Sequence, residues 1–299
     1  MNYRLLGKSL LKISEVSFGC MSLPVNQPSV AQQLIHKAID YGVNFFDTAD
    51  LYDKGENEKI VGEALKGKRD QIVLATKVGN QWRADGSGWD WNPKKEYILK
   101  AVDRSLKRLQ TDYIDLYQLH GGTIEDPMDE TIEAFEILKE KGKIRFYGVS
   151  SIRPNVIQEY VNRSNITSVM MQYSLLDRRP EEACLSLLKE NGIGVLARGV
   201  LAKGLLAGKP VKEYLDLSAE EVRYIIDILQ QMISPTTKTA NAAIQFVLDN
   251  DAITSAVLGV RTEKQLKECF AEEYQEAINQ KEILWLKQKI VSKIYKDHR

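Results

Sequence analysis

The sequence predicts an α/β protein folded as a closed (β/α)8 (TIM) barrel. Three observations carry this. Short β-branched runs alternate with helical stretches in strict β-then-α order, and that order implies a parallel sheet. The chain has 299 residues, a length at which an α/β barrel is routinely one domain, so residues 1–299 are taken as a single unit. The first strand ends Ser-Phe-Gly-Cys-Met-Ser, without the GxGxxG turn that a doubly wound nucleotide-binding sheet places after an early strand.

The elements follow in order. A small hairpin over Tyr3–Ile13 precedes the first strand, Glu15–Gly19. Further strands are expected at Val43–Asp47, Ile72–Lys77, Ile114–His120, Ile144–Ser150, Ser168–Tyr173, Ile193–Arg198 and Ile253–Gly259. Helices are expected between them at Val30–Tyr41, Glu56–Leu65, Lys95–Leu109, Met128–Lys141, Pro154–Asn162, Pro180–Asn191, Thr236–Asp249 and Glu263–Ala271. In the fourth, Met128, Ile132, Phe135, Ile137 and Leu138 roughly follow a helical period. Pro154 and Pro180 suit first helical turns, and Gly42, Gly142 and Gly192 suit helix ends. Asn80–Pro93 and Ala207–Ser218 read as long loops, with extra helices at Ala219–Met232 and Lys281–Ile294.

Composition removes other classes. Lys and Arg total 41 and Asp and Glu total 41, so no net charge recommends a nucleic-acid partner. No apolar run is long enough for a membrane span, and the N-terminus lacks a signal-peptide core. Cys20, Cys184 and Cys269 are scattered and odd in number, and there are only three histidines, so neither a disulfide framework nor a metal site is expected. The cytoplasm is the default compartment and a monomer the default state.

In such a barrel, sites form at the C-terminal ends of the strands. There the chain delivers Asp47, with Tyr52 shortly after it, then Lys77, His120, Ser150 and Gln172. A tyrosine is too weak an acid to give up its proton readily near neutrality. An ammonium beside it favours the phenolate, so Lys77 is expected to lower the Tyr52 pKa. Asp47 would hold the ammonium, and His120 could hydrogen-bond a substrate oxygen. That set suits protonation of a developing alkoxide, and a cofactor must then supply the hydride. Singly, each residue has a plainer explanation, such as a cap or a core histidine; together at adjacent strand ends they are hard to explain as packing.

The chain resembles the aldo-keto reductase family. The resemblance runs from Tyr3 to about Ala271 and is carried by GKSLLKISEVSFGCM, GVNFFDTADLY, ENEKIVGEAL, VLATKVG, SLKRLQTDYIDLYQLH, GKIRFYGVSS, MQYSLLDRR, GLLAGK and SAVLGVRTEKQLKE. It implies a barrel whose bottom the N-terminal hairpin closes. It implies a catalytic tetrad of Asp47, Tyr52, Lys77 and His120, with Tyr52 as general acid, Lys77 and Asp47 tuning it and His120 orienting the carbonyl. It assigns Ser150, Ser151 and Gln172 to a nicotinamide carboxamide. The family often has Ser-Asn in place of Ser150-Ser151, an aromatic residue in place of Arg198, and Asn in place of Cys269.

The remaining cofactor residues lie in two segments. In Arg198-Gly199-Val200-Leu201-Ala202-Lys203-Gly204 the glycines would let backbone amides approach a pyrophosphate, and Lys203 adds charge. By resemblance Arg198 falls where the family often stacks an aromatic on the nicotinamide, and its planar guanidinium would have to take that place. After the last strand, Gly259, Arg261, Gln265 and Glu268 lie in a loop that opens a helix. Arg261 could pair with a 2′-phosphate, which favours NADP(H) over NAD(H). By resemblance, Gln265 and Glu268 lie along the adenosine. Trp82, Met21 and Tyr173 are the candidates for a substrate pocket that would take a small carbonyl compound. A regulatory or redox-sensing NADP(H)-binding subunit on the same barrel is the alternative to a turning-over reductase.

Overall fold

The computed structural model describes residues 1–235, 237–270 and 277–299. A hairpin of β1 (Tyr3–Leu5) and β2 (Lys12–Ser14) opens the chain. Then come β3 (Val16–Gly19), α1 (Pro28–Asp40), β4 (Phe45–Asp47), α2 (Glu56–Leu65) and β5 (Val73–Val78). A second hairpin, β6 (Asn80–Trp82) and β7 (Trp89–Trp91), precedes α3 (Lys95–Leu109). The chain continues through β8 (Ile114–Leu119), α4 (Met128–Glu140), β9 (Ile144–Ser150), α5 (Pro154–Arg163), β10 (Ser168–Gln172), α6 (Cys184–Glu190) and β11 (Gly194–Arg198). It ends with α7 (Ala219–Met232), α8 (Thr239–Leu248), β12 (Ile253–Leu258), α9 (Glu263–Phe270) and α10 (Gln280–Lys289).

β3, β4, β5, β8, β9, β10, β11 and β12 are parallel neighbours, and β12 pairs back with β3 to close the barrel. The predicted strands therefore form, with ends shifted by at most two residues. Thr236 and Ala271, expected as helix termini, lie outside the described residues. No helix among the described residues is long and apolar enough to cross a membrane.

Side chains of a strand alternate between faces, so each strand sends one set inward and one towards the helices. The outward set makes the larger core. In it Phe18 stacks between Phe46 and Phe270 at ring distances of 5.6 and 5.9 Å, and Phe135 stacks on Tyr147 at 5.2 Å. The lower inward set, including Phe45, Ala75, Leu116, Met170, Leu196 and Val257, forms a separate cluster with Leu6, Leu11 and Ile13 of the first hairpin. That hairpin fills the barrel's bottom. Arg4 ties it to the last unit by donating to the carbonyls of Leu248 and Ile253 at 3.1 and 2.9 Å. Gly7 turns with φ +56°, and its amide lies so near Gly194 that a Cβ there would sit 2.7 Å from Gly7 N.

Three expectations change. Asn80–Pro93 is a hairpin rather than a loop: Trp82 pairs with Trp89, Arg83 N bonds Gly88 O at 2.9 Å and the Arg83 side chain grips Asp90. The stretch Pro180–Asn191 divides into a 3-10 turn at Arg179–Glu182 and α6, because Ala183 is non-helical with φ −150° and ψ −40°. The last helix stops at Lys289, where Ile290 turns extended.

Behind the mouth, α2 buries Glu58, whose carboxylate takes Thr76 Oγ1 and Arg108 Nε, each at 2.6 Å. Asp50 lies close by, buried, with no partner for its Oδ1 among the described residues. Burial, aided by the charge of Glu58, pushes the Asp50 carboxyl from 3.8 up to about 8.

Two predictions follow from packing and burial. Gly194→Ala forces the bottom hairpin outwards and is expected to cost about 1–3 kcal/mol, read from urea unfolding. The Asp50 pKa is raised on folding, so its contribution to stability is complete below about 4 and is lost as pH rises through about 8. Asp50→Asn should therefore gain stability relative to the unsubstituted protein as pH rises across that window. A urea midpoint difference that stays constant with pH would show that Asp50 is ionised in the fold.

Candidate active site

The same alternation that fills the barrel below builds the site above. Asp47 ends β4 beside Gly19 and Ala75, and Lys77 pairs in register with Gln118. His120 follows β8, its amide bonded to Val78 O at 2.7 Å. Ser150 lies opposite Met170, and Gln172 opposite Arg198. The inward residues at the top of the barrel are thus polar, where those below are apolar.

Lys77 is the centre. It is 1% exposed, and its Nζ donates to Asp47 Oδ2 at 2.6 Å, Thr48 O at 2.7 Å and Tyr52 Oη at 3.2 Å. The other Asp47 oxygen accepts from Gln118 Nε2 at 3.0 Å. Tyr52 reaches Lys77 from a tight turn in which Asp53, Lys54 and Gly55 all have positive φ. Asn57 anchors that turn: its Oδ1 accepts from Thr48 Oγ1 at 2.8 Å and its Nδ2 donates to Cys20 O at 2.9 Å. The His120 ring meets Tyr52 edge-on, centroids 5.7 Å apart, and its Nδ1 is buried without a partner among the described residues.

Burial favours the neutral form of each group, and the fixed charges decide what survives. Burial lowers the Lys77 pKa, but Asp47 and Tyr52 outweigh it, so the ammonium is held above its ordinary value. Burial, then Lys77 and Arg198, push His120 down to about 3, so the imidazole is neutral at physiological pH. For Tyr52 the sequence-based expectation is reversed. Burial raises its pKa by more than Lys77 lowers it, and the hydroxyl stays protonated.

The other candidates separate into groups. Gln172 donates through Nε2 to Asp177 at 2.8 Å and accepts from Arg198 Nη1 at 3.2 Å. Ser151 Oγ accepts from Arg153 N at 3.2 Å, at the start of α5. After β11 the backbone coils through positive φ at Gly199, Ala202, Lys203 and Gly204. Gly199 has φ +70°, which favours glycine, and a Cβ there would press on the Gln172 side chain at 3.1 Å. Lys209 Nζ donates to Lys203 O at 3.1 Å. Beyond Gly259, Arg261 is exposed at the foot of α9. Gln265 Oε1 accepts from Arg261 N at 2.8 Å and Gln265 N donates to Thr262 Oγ1 at 3.2 Å; Glu268 is half-buried on the same helix.

The pocket candidates scatter. Trp82 faces the Tyr52 turn, with Nε1 donating to Leu51 O at 3.3 Å and Lys54 Nζ 5.2 Å above its ring. Met21 is exposed on the rim. Tyr173 does not line the mouth: one residue past Gln172, it turns to the helix layer, where its ring packs on Phe246 and its hydroxyl donates to Glu181 at 2.7 Å. Sequence reasoning missed Gln118, Asn57 and Asp177. Gln118 is two residues before His120 and so shares its face, a signal that strand alternation offered. Trp91 pins the β6–β7 hairpin by donating to Asp126 at 2.9 Å.

The model of the Aldo/keto reductase family matches residues 15–289. The chain is 49% identical over 308 residues to the uncharacterized oxidoreductase YqkF of Bacillus subtilis (strain 168), with all of both chains covered. It is 32% identical over 252 residues to an NADH-specific methylglyoxal reductase of Escherichia coli (strain K12), covering 76% of this chain and 77% of that one. The holo form of aldo-keto reductase AKR11C1 from Bacillus halodurans superposes with a TM-score of 0.94 at 47% identity, over 100% of this chain and 99% of that one. The family model, YqkF and the AKR11C1 structure each span all eight barrel strands, and the chain belongs to the aldo/keto reductase family, oxidoreductases of carbonyl compounds.

Proposed function

We propose that the protein reduces aldehydes or ketones to alcohols with NADPH, Tyr52 giving the proton. The observation that carries this is the single buried ammonium bonded at once to Asp47 and to the Tyr52 hydroxyl, beside a neutral histidine. A neutral imidazole can hold a carbonyl oxygen by a hydrogen bond but has no extra proton to give, which leaves Tyr52 as the acid. The hydroxyl is protonated when the substrate arrives, and Lys77 stabilises the phenolate as the proton leaves. Asp47, fixed by Gln118, keeps Lys77 charged and aimed.

The donor set fits a nicotinamide nucleotide. His120 Nδ1, buried without a partner among the described residues, supports a ligand across the mouth, and the left-handed turn at Gly199 lies against Gln172 at its rim. Bound there, the nicotinamide supplies the hydride that the carbonyl carbon takes. Ser150 and Gln172, with Ser151 beside them, would hold the carboxamide. The amide of Gln172 has unused donor and acceptor capacity beyond its two bonds. Arg198 would lie against the ring. Gly199, Leu201, Lys203 and Gly204 would take the pyrophosphate, and Gly259, Arg261, Gln265 and Glu268 the adenosine and its 2′-phosphate. We assign the cytoplasm, a reading supported by three cysteines that are all buried and unpaired. One chain supplies every residue named, so a monomer suffices. The mouth, with Trp82 at its side, would take a small carbonyl substrate.

Purified protein with NADPH and a panel of aldehydes and ketones tests the activity. Tyr52→Phe should cut turnover roughly 100-fold or more while nucleotide affinity holds. Equal losses in both would remove the proton-donor role. Arg261→Ala should weaken NADPH by about tenfold and leave NADH nearly unchanged, by titration of each nucleotide. Equal weakening would move the 2′-phosphate contact elsewhere.

A further inference from the structure

Three cations and two carboxylates meet around the mouth. Asp47 is taken by Lys77 at 2.6 Å. Asp177, 3% exposed, is taken by Arg179 through two bonds of 2.7 and 2.9 Å. Arg198 reaches neither carboxylate, and it makes no ion pair among the described residues. Its Nη1 donates to Gln172 Oε1 at 3.2 Å, and Gln172 Nε2 donates to Asp177 Oδ2 at 2.8 Å. A neutral amide thus stands between guanidinium and carboxylate. It fixes the direction of Arg198 without cancelling its charge. That charge reaches the catalytic groups: it helps to keep His120 neutral and opposes the upward pull of burial on Asp47 and Tyr52.

From this arrangement we infer that Arg198 makes the site discriminate between the two oxidation states of a nicotinamide nucleotide, binding the reduced form more tightly than the oxidised one. The inference rests on the nicotinamide reading above and adds to it. NADPH and NADP⁺ share their adenosine and phosphates, so those contacts cancel in the comparison. The forms differ in the ring, which is neutral when reduced and carries a positive charge when oxidised. An uncompensated guanidinium in a half-buried position repels the charged ring and tolerates the neutral one. An aromatic side chain at this place would act with the opposite sign, because its face attracts cations. With Arg198 the oxidised nucleotide is the weaker ligand, so the used cofactor is released more readily after it has given up its hydride.

The test is the ratio of dissociation constants for NADP⁺ and NADPH, read by calorimetric titration without substrate. It compares the unsubstituted protein, Arg198→Gln and Arg198→Lys. The unsubstituted protein should prefer NADPH. Arg198→Gln keeps a planar polar group but no charge, and should narrow the ratio by about tenfold or more, the scale of a unit charge pair at a half-buried site. Arg198→Lys keeps the charge and should keep most of the ratio. If Arg198→Gln binds both nucleotides with a ratio within about twofold of the unsubstituted value, Arg198 does not discriminate and the inference falls, while the cofactor assignment stands. If the unsubstituted protein binds neither nucleotide, the cofactor assignment itself is overturned.

Discussion

A lysine ammonium placed inside a barrel must be solvated by protein or lose its proton, and that requirement shapes the upper half of this molecule. Lys77 has three donors, and three acceptors meet them: a carboxylate, a main-chain carbonyl and a phenol. Each acceptor has support of its own. Gln118 braces Asp47, and Asn57 ties the Thr48 turn to Cys20 O. Tyr52 is held where the chain passes through left-handed backbone. A charge that would destabilise the core becomes the fixed point from which a weak acid is tuned. The cost of burial is concentrated where chemistry needs it.

Most of the fold was legible because barrel strands are short, apolar and punctuated. Each of the eight strands was found to within two residues, and α2 and α3 were found to the residue. What was not legible had non-local causes. Nothing local in Pro180–Asn191 announces the break at Ala183, beside which Arg178 reaches across to the carbonyls of Lys287 and Ile290. The β6–β7 hairpin has few apolar residues to alternate, and its clasp is an ion pair between Arg83 and Asp90.

The candidate site was legible to the extent that it lies on strand ends. Asp47, Lys77 and His120 converge because their strands are neighbours, and Tyr52 because it follows β4 by one turn. Tyr173 was misplaced by one position of alternation: Gln172 faces in, so its successor faces out. The direction of the Tyr52 pKa could not be had from residue types, since two opposing effects act and only burial depth tells which is larger. Asp177 lies in the loop beyond β10, and only the folded chain shows it holding Gln172.

The first hairpin and the last strand share a seam. Arg4 binds the carbonyls that end α8 and begin β12, and β3 completes its pairing only against β12. Residues made first therefore wait for residues made nearly last. While the chain is being synthesised, β3 has no partner on that side and the barrel is an open sheet with two exposed edges. Ring closure is thus a late event of biosynthesis, and until then the nascent chain carries the unpaired strand edges on which sheets of different molecules can join.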